Sequence, residues 1–402
     1  MPSQTASTPP ILSYIFRGHT SSIHALHFFS SNHYFASGDS EGWIVIWRLT
    51  TRRPAAAWKA HDGGVMGIKD WNGNRLITHG RDHKLRIWQV REEALDGLSR
   101  VLPVDAKGDE SRQPWLVHSM DVNALNFCAF AVCADSDRGT QTRVLAQDAT
   151  DAEVVEVAEF KPLLLAAPNG LDQGGVDIFH LPSEQRVSKL QSDMRANTGM
   201  VMALRIFYGQ PTGKLTLVVG YEDGSVAVYV RKEQNVMPVW IWEKVMAAKP
   251  HTQPVLSLGV LPSGESFITS SADATVAKFG IPSMKMEDQA QAEKTSNTKH
   301  AGQQDLKIRS DGRVFATAGW DKNVRVYSTK TLKELAVLQW HQEGCYAFAF
   351  AEVLPEAAAN ERALVAGNAM DKMKLERDAK VHNTHWLVAG SKDGKISLWD
   401  VY

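Results

Sequence analysis

Cysteine is scarce in this 402-residue chain. Cys128, Cys133 and Cys345 are odd in number and form no C-x-x-C, which argues against a disulfide framework or a zinc site and fits a reducing compartment. No N-x-S/T sequon occurs, consistent with an intracellular protein. No run of 18 apolar residues is present, and the polar, proline-rich start MPSQTASTPP lacks the apolar centre of a signal peptide, so no membrane association is expected. Charge of either sign is also lacking: 44 Lys and Arg face 45 Asp and Glu, for a net charge of -1. Such a balance creates no field for nucleic acid or an anionic membrane, and no direct nucleic-acid contact is expected. The one basic cluster, TTRRP, is too short for a localisation signal. P-loop, HExxH, GxSxG and EF-hand patterns are all missing, so no cofactor, metal or enzymatic activity is expected.

What is present is a repeat. The stretch FATAGWDKNVRVY, ending at Tyr327, places two β-runs around a short polar link. Similar stretches end at Trp47, Trp88, Tyr229, Phe279 and Trp399, and a degenerate one, with Gln173 in the acidic slot, ends at Phe179. Six positions before the aromatic stands an acid: Glu41, Asp82, Asp223, Asp273, Asp321 or Asp393. Aromatics spaced mostly 40–50 residues apart, with paired β-runs and tight turns, predict the blades of a β-propeller. Upstream histidines His19, His61, His251, His300 and His341 each precede an apolar run that reads as an inner strand. The last repeat ends at Trp399, with no room for an outer strand. Residues 11–17, ILSYIFR, supply one, which would close the ring and leave no exposed edge.

These features predict an all-β, seven-bladed propeller over 11–402 behind a disordered 1–10. Insertions are expected near 91–113, 134–160, 284–299 and 354–383, with a short helix within 363–380. The gap of 91 residues between Trp88 and Phe179 also leaves room for an eighth blade, with 143–160 as an extra hairpin. An insertion is preferred there, because no histidine-led inner strand precedes KPLLLAAP.

Serine or threonine, histidine and aspartate recur together, as in catalytic triads. The sets are His61, Thr78, Asp82 and Trp88; His251, Thr269 and Asp273; His300, Thr317 and Asp321; and the variant His19, Ser37, Glu41 and Trp47. The last repeat has His341, Asp393 and Trp399, but Ala389 in the hydroxyl position. A catalytic centre needs one constellation, whereas these recur around a ring. They read as chains of buried hydrogen bonds, from carboxylate to imidazole to hydroxyl to indole, that pin each turn to an inner strand.

The pattern GH…(S/T)xxxD…W resembles the WD40 repeat. The stretches FRGHTSSIHALHF, THGRDHKLRIWQV, FATAGWDKNVRVYSTKTLKELAVLQWHQEGCYAFAF and WLVAGSKDGKISLWDVY further resemble the fungal ASTRA-associated protein 1 family, relatives of the animal guanine-nucleotide-binding-protein β-subunit-like protein. That resemblance implies a nuclear, non-catalytic scaffold subunit of the ASTRA complex, monomeric within it. It also implies links to chromatin remodelling and to the cochaperone machinery that matures phosphatidylinositol-3-kinase-related kinases. A true G-protein β subunit is disfavoured, since a coiled-coil helix cannot fit in the ten residues, Pro9 and Pro10 among them, before the first strand. A propeller enzyme would need a unique acidic or histidine cluster on the inner strands, and none stands out. A reader of a modified histone or phosphopeptide would need an aromatic cage or arginine cluster on one rim. Residues preceding the turn acids point toward such a rim: Ser40, Arg81, Glu222, Ala272, Trp320 and Lys392. Trp320, Arg81 and Lys392, with Tyr346, Gln303 and Gln304 after the inner histidines, form the candidate partner-binding set.

Overall fold

In a computed structural model, the described residues are 9–104, 112–125, 127–136, 141–142, 159–193, 196–210, 212–232, 240–282, 290–354 and 369–402. They form seven four-stranded antiparallel sheets. Blade 1 is Ile23–Phe29, Tyr34–Asp39, Trp43–Arg48 and Arg53–Lys59. The inner strands of blades 2 to 7 are Val65–Trp71, Ala131–Ala134, Val201–Tyr208, Val255–Val260, Gln303–Ile308 and Cys345–Phe350. Second strands such as YFASGD, SFITSS and VFATAG are buried throughout, because each lies between its own sheet partners and the faces of two neighbouring blades. A third strand such as WIVIWR shows the same run of apolar residues, as expected for strands covered on both faces.

The N-terminal strand Ile11–Phe16 pairs antiparallel with Ile396–Asp400 and completes blade 7. The seam is sealed by a cluster in which Phe16 and Ile396 pack with Phe35 and Trp47 of blade 1. Seven blades account for the chain. The long gap holds one blade, whose inner strand Ala131–Ala134 is separated from its partner Leu163–Pro168 by the intervening insertion. Only its base is described, where Gln141–Thr142 pairs with Glu159–Phe160; residues 143–158 lie outside the described residues. Of the expected insertion at 284–299, Lys294–Asn297 is instead the outer strand of blade 5, and 284–289 lie outside the described residues. Within 354–383, a helix spans Ala369–Asn383 and buries Val381 against the seam cluster. Residues 1–8, the bulk of the expected disordered start, lie outside the described residues.

Two histidines are held neutral inside this packing. His79 of blade 2 is fully buried, edge-on to Phe130 of blade 3. Burial, reinforced by nearby His61, pushes its pKa down to about 4. Burial does the same for His341, also to about 4. Their folded pKa values lie below the unfolded value near 6.5, so the unfolded chain binds more protons as the pH falls. Stability is therefore full above pH 6.5 and is lost as the pH drops from 6.5 toward 4. Each histidine contributes roughly 3 kcal/mol to that loss. Urea titrations at pH 7.5 and 4.5 check this, and His79→Leu is expected to flatten the pH dependence. An equally steep dependence in that variant would rule His79 out as a source.

Candidate functional site

The recurrent triad-like sets are structural. In blade 2, Trp88 Nε1–H donates to Thr78 Oγ1 at 2.9 Å, and the hydroxyl lies 2.8 Å from His61 Nε2. His61 Nδ1 donates to Asp82 at 2.9 Å, and Asp82 also accepts from Arg86 and the Asp62 and Lys84 amides. Burial raises the Asp82 pKa, but the His61, Arg86 and amide bonds outweigh it and hold the carboxyl well below the usual range. Thr78 is fully buried and saturated with partners, so its hydroxyl cannot reach a substrate. Blade 5 repeats the chain through Asp273, His251 and Thr269, with Phe279 leaving out the last link.

Three sets differ from the sequence expectation. In blade 1 the acid is Asp39, not Glu41. Asp39 is fully buried, accepts His19 Nδ1–H at 2.7 Å, and also caps the amides of Glu41 and Trp43. Glu41 is exposed. In blade 6 His300 does not reach Thr317. Thr317 instead donates to the amide oxygen of Gln303, while Asp321 is gripped by both Arg325 guanidinium nitrogens, at 3.0 and 2.6 Å. In blade 7 the missing hydroxyl at Ala389 is supplied by Ser397, directly across the ladder, which joins His341 to Trp399. Blade 4 substitutes a buried pair of phenols, Tyr221 and Tyr229, 3.1 Å apart.

The residue just after the second strand occupies one equivalent place in six blades. The amides of Ser40, Arg81, Glu222, Ala272, Trp320 and Lys392 donate at 2.9–3.1 Å to carbonyls just before the inner strand of their own blade: those of Ser22, Gly64, Met200, Pro254, Gly302 and Gly344. These six positions therefore ring the face where the inner strands begin. Trp320 is 49% exposed. Its ring lies on Gly302, where a Cβ would approach within 2.2 Å, and its indole N–H donates to Gln304 at 2.8 Å. Tyr346 stacks on His24 with centroids 5.4 Å apart. Arg81 covers the Phe127 ring at 4.6 Å, and Phe127 stays 63% exposed. Gln304, Tyr346, His24 and Phe127 line the mouth of the central channel, so an aromatic arc passes from blade 6 through blades 7 and 1 to blade 3. Lys392 is exposed nearby, its carbonyl bound by Ser22. Gln303 is removed from the surface set, being fully buried in the Thr317 bond.

Comparison with known sequences decides the family. A model described as ASTRA-associated protein 1 matches residues 12–345, and one described as WD domain, G-beta repeat, matches 380–400. Proteins called ASTRA-associated protein 1 are similar along their whole length. The one from Aspergillus niger is 46% identical over 99% of both chains, and the one from Aspergillus flavus 44% identical over all of both. That of Schizosaccharomyces pombe is 31% identical over 97% of this chain and 98% of its own. The chain belongs to the ASTRA-associated protein 1 family.

Exposed tryptophan and phenylalanine beside arginine are the residue types that dominate interfaces. Phe127 and His24 escaped the sequence reading. Phe127 lies in NALNFCAF, where no histidine announces the inner strand, and His24 sits inside a strand whose motif histidine is His19. Among the described residues no group of His, Cys, Asp and Glu could hold a metal ion, and no helix is long and apolar enough to cross a membrane.

Proposed function

We propose that this chain is a non-catalytic scaffold subunit of an ASTRA complex, held in the nucleus as a single copy per complex. It would contribute there to chromatin remodelling and to the assembly of phosphatidylinositol-3-kinase-related kinases. The observation that carries the reading is full-length similarity to ASTRA-associated proteins, joined to a ring whose triad-like groups are buried in structural bonds. The partner docks on the arc of Trp320, Tyr346, His24, Arg81 and Phe127, with Lys392 and Gln304 beside it.

The test is affinity capture from nuclear extract with tagged wild-type chain and with Trp320→Ala combined with Phe127→Ala. ASTRA-type subunits are expected on the wild-type chain. Each truncated anchor weakens capture by roughly 30-fold, the equivalent of about 2 kcal/mol. If those subunits never co-purify, the scaffold reading fails. Equal capture by the double variant removes the arc as the docking site and leaves the complex. A reader of a modified histone or phosphopeptide is the second reading, favoured by the half-exposed Trp320 on the same arc as Tyr346. It predicts retention on modified-peptide beads that the unmodified peptides do not give.

A further inference from the structure

The seven inner strands place one residue each at a common level of the central channel. Ladder pairing defines the level: each of these residues faces the second-strand residue just before the hydroxyl position. The set is His27, Lys69, Ala131, Arg205, Gly259, Lys307 and Ala349. Cations come from blades 2, 4 and 6. Blades 3, 5 and 7 contribute only alanine or glycine, so no bulky residue stands between Lys69 and Arg205 or between Arg205 and Lys307, while His27 of blade 1 lies on the remaining side, between Lys307 and Lys69. Lys69, Arg205 and Lys307 line both a cavity of about 550 Å³ at the strand-end side and one of about 140 Å³ at the strand-start side. They therefore form the waist between the two.

Charge at this waist is not balanced internally. Asp305 is paired with Lys307 at 2.9 Å and also accepts the Phe348 amide. Lys307 donates in addition to the Phe348 carbonyl. Asp70 is bound to His27 Nε2 at 3.0 Å and to the Gly73 amide. Among the described residues, Arg205 donates only to the carbonyl of Leu204. Lys69 has no hydrogen bond or ion pair with a described residue. All three cations are only partly buried and face the cavities, and three cations against two engaged carboxylates leave an opening for an anion. Burial, with Arg205 and Lys307 adding repulsion against the pull of Asp305 and Asp70, lowers the Lys69 pKa to about 7, so a bound anion would draw this amine toward its charged form.

We propose that the waist binds the phosphate group of a small molecule, held between Lys69, Arg205 and Lys307, with the remainder in the 550 Å³ chamber. A phosphate offers three or more oxygens in a tetrahedral spread, which suits cations converging from three alternate blades. A carboxylate offers two in one plane and would leave one cation unserved. The chamber lies in the size range of small-molecule sites. The site lies below the partner arc, whose Gln304, Tyr346, His24 and Phe127 line the mouth of the same strand-start cavity.

The experiment is thermal denaturation of the full chain with inorganic phosphate, methyl phosphate or pyrophosphate, in buffers matched for ionic strength with chloride. Binding of the folded state raises the melting temperature saturably. Methyl phosphate acting as well as inorganic phosphate indicates a phosphate ester as the natural ligand. Action by inorganic phosphate alone indicates the free ion. Lys69→Met is expected to fold, and to be at least as stable without ligand because it removes an unpaired cation. Its apparent affinity for phosphate should fall roughly tenfold or more. Lys330→Met, an exposed control, should bind like wild type. The proposal is overturned if none of the three anions gives a saturable shift beyond chloride, or if Lys69→Met binds as tightly as wild type.

Discussion

Asp39→Ala is expected to lower the free energy of unfolding by about 3–5 kcal/mol, the usual effect of removing one member of a buried charge-bearing pair. Glu41→Ala, two residues along the same turn, should stay within about 0.5 kcal/mol of wild type, as surface substitutions do. Asp39 is inaccessible to solvent and receives three hydrogen bonds, from His19 and the amides of Glu41 and Trp43. Its loss leaves all three donors without an acceptor in a place water does not enter. It also frees the imidazole that orders the Ser37 hydroxyl and, through it, the Trp47 indole. Urea denaturation of the two variants side by side decides the matter. Equal destabilisation would mean that the buried aspartate contributes no more to the turn than the exposed glutamate.

Gly42→Ala is expected to cost about 2–5 kcal/mol, from left-handed backbone strain together with overpacking. Gly42 has φ +90°, and a Cβ there would fall 2.0 Å from the His61 carbonyl oxygen. That carbonyl belongs to backbone at the start of blade 2, whose Ala60 and His61 amides both donate to the Gly42 carbonyl. The collision is with main chain and cannot be relieved by turning a side chain. Gly224 meets the His251 carbonyl in the same way, at 2.3 Å. His83 and Lys322 hold the equivalent place in blades 2 and 6 with φ 60° and 69°, so close approach of the next blade, rather than φ alone, creates the need for glycine. Gly73→Ala is the reference: φ is +72° but nothing lies within 4 Å, and about 1–2 kcal/mol is expected. If the two substitutions cost the same in matched urea titrations, the contact between blades contributes nothing.

Periodicity made the ring legible, because one spacing recurs in five blades and the ends of the chain complete each other. What spacing could not show is which residues face each other. Counting back from Trp47 reaches Glu41, but the turn of blade 1 places its acid at the end of the second strand. Ala389 removes a hydroxyl from its expected position, and Ser397 restores it from the opposite strand, a substitution visible only in the ladder. Gln303 reads as a surface residue next to His300, yet it takes over the histidine's task inside. Arc and channel waist are farther still from one-dimensional reading. Lys69, Arg205 and Lys307 are far apart in the chain and share no motif; only the register of blades 2, 4 and 6 brings them to one level.

The strand that closes the ring is made first and used last. Phe16 leaves the ribosome about 380 residues ahead of Ile396, its partner in blade 7. At about 5–20 residues per second, it waits on the order of 20–80 s with its hydrogen-bonding edge open. During synthesis the six other blades can stack while this strand stays unclaimed, and an open edge of that kind is a template for pairing with another chain. Nascent chains on neighbouring ribosomes are thus the natural competitors for the seat that Ile396–Asp400 finally takes.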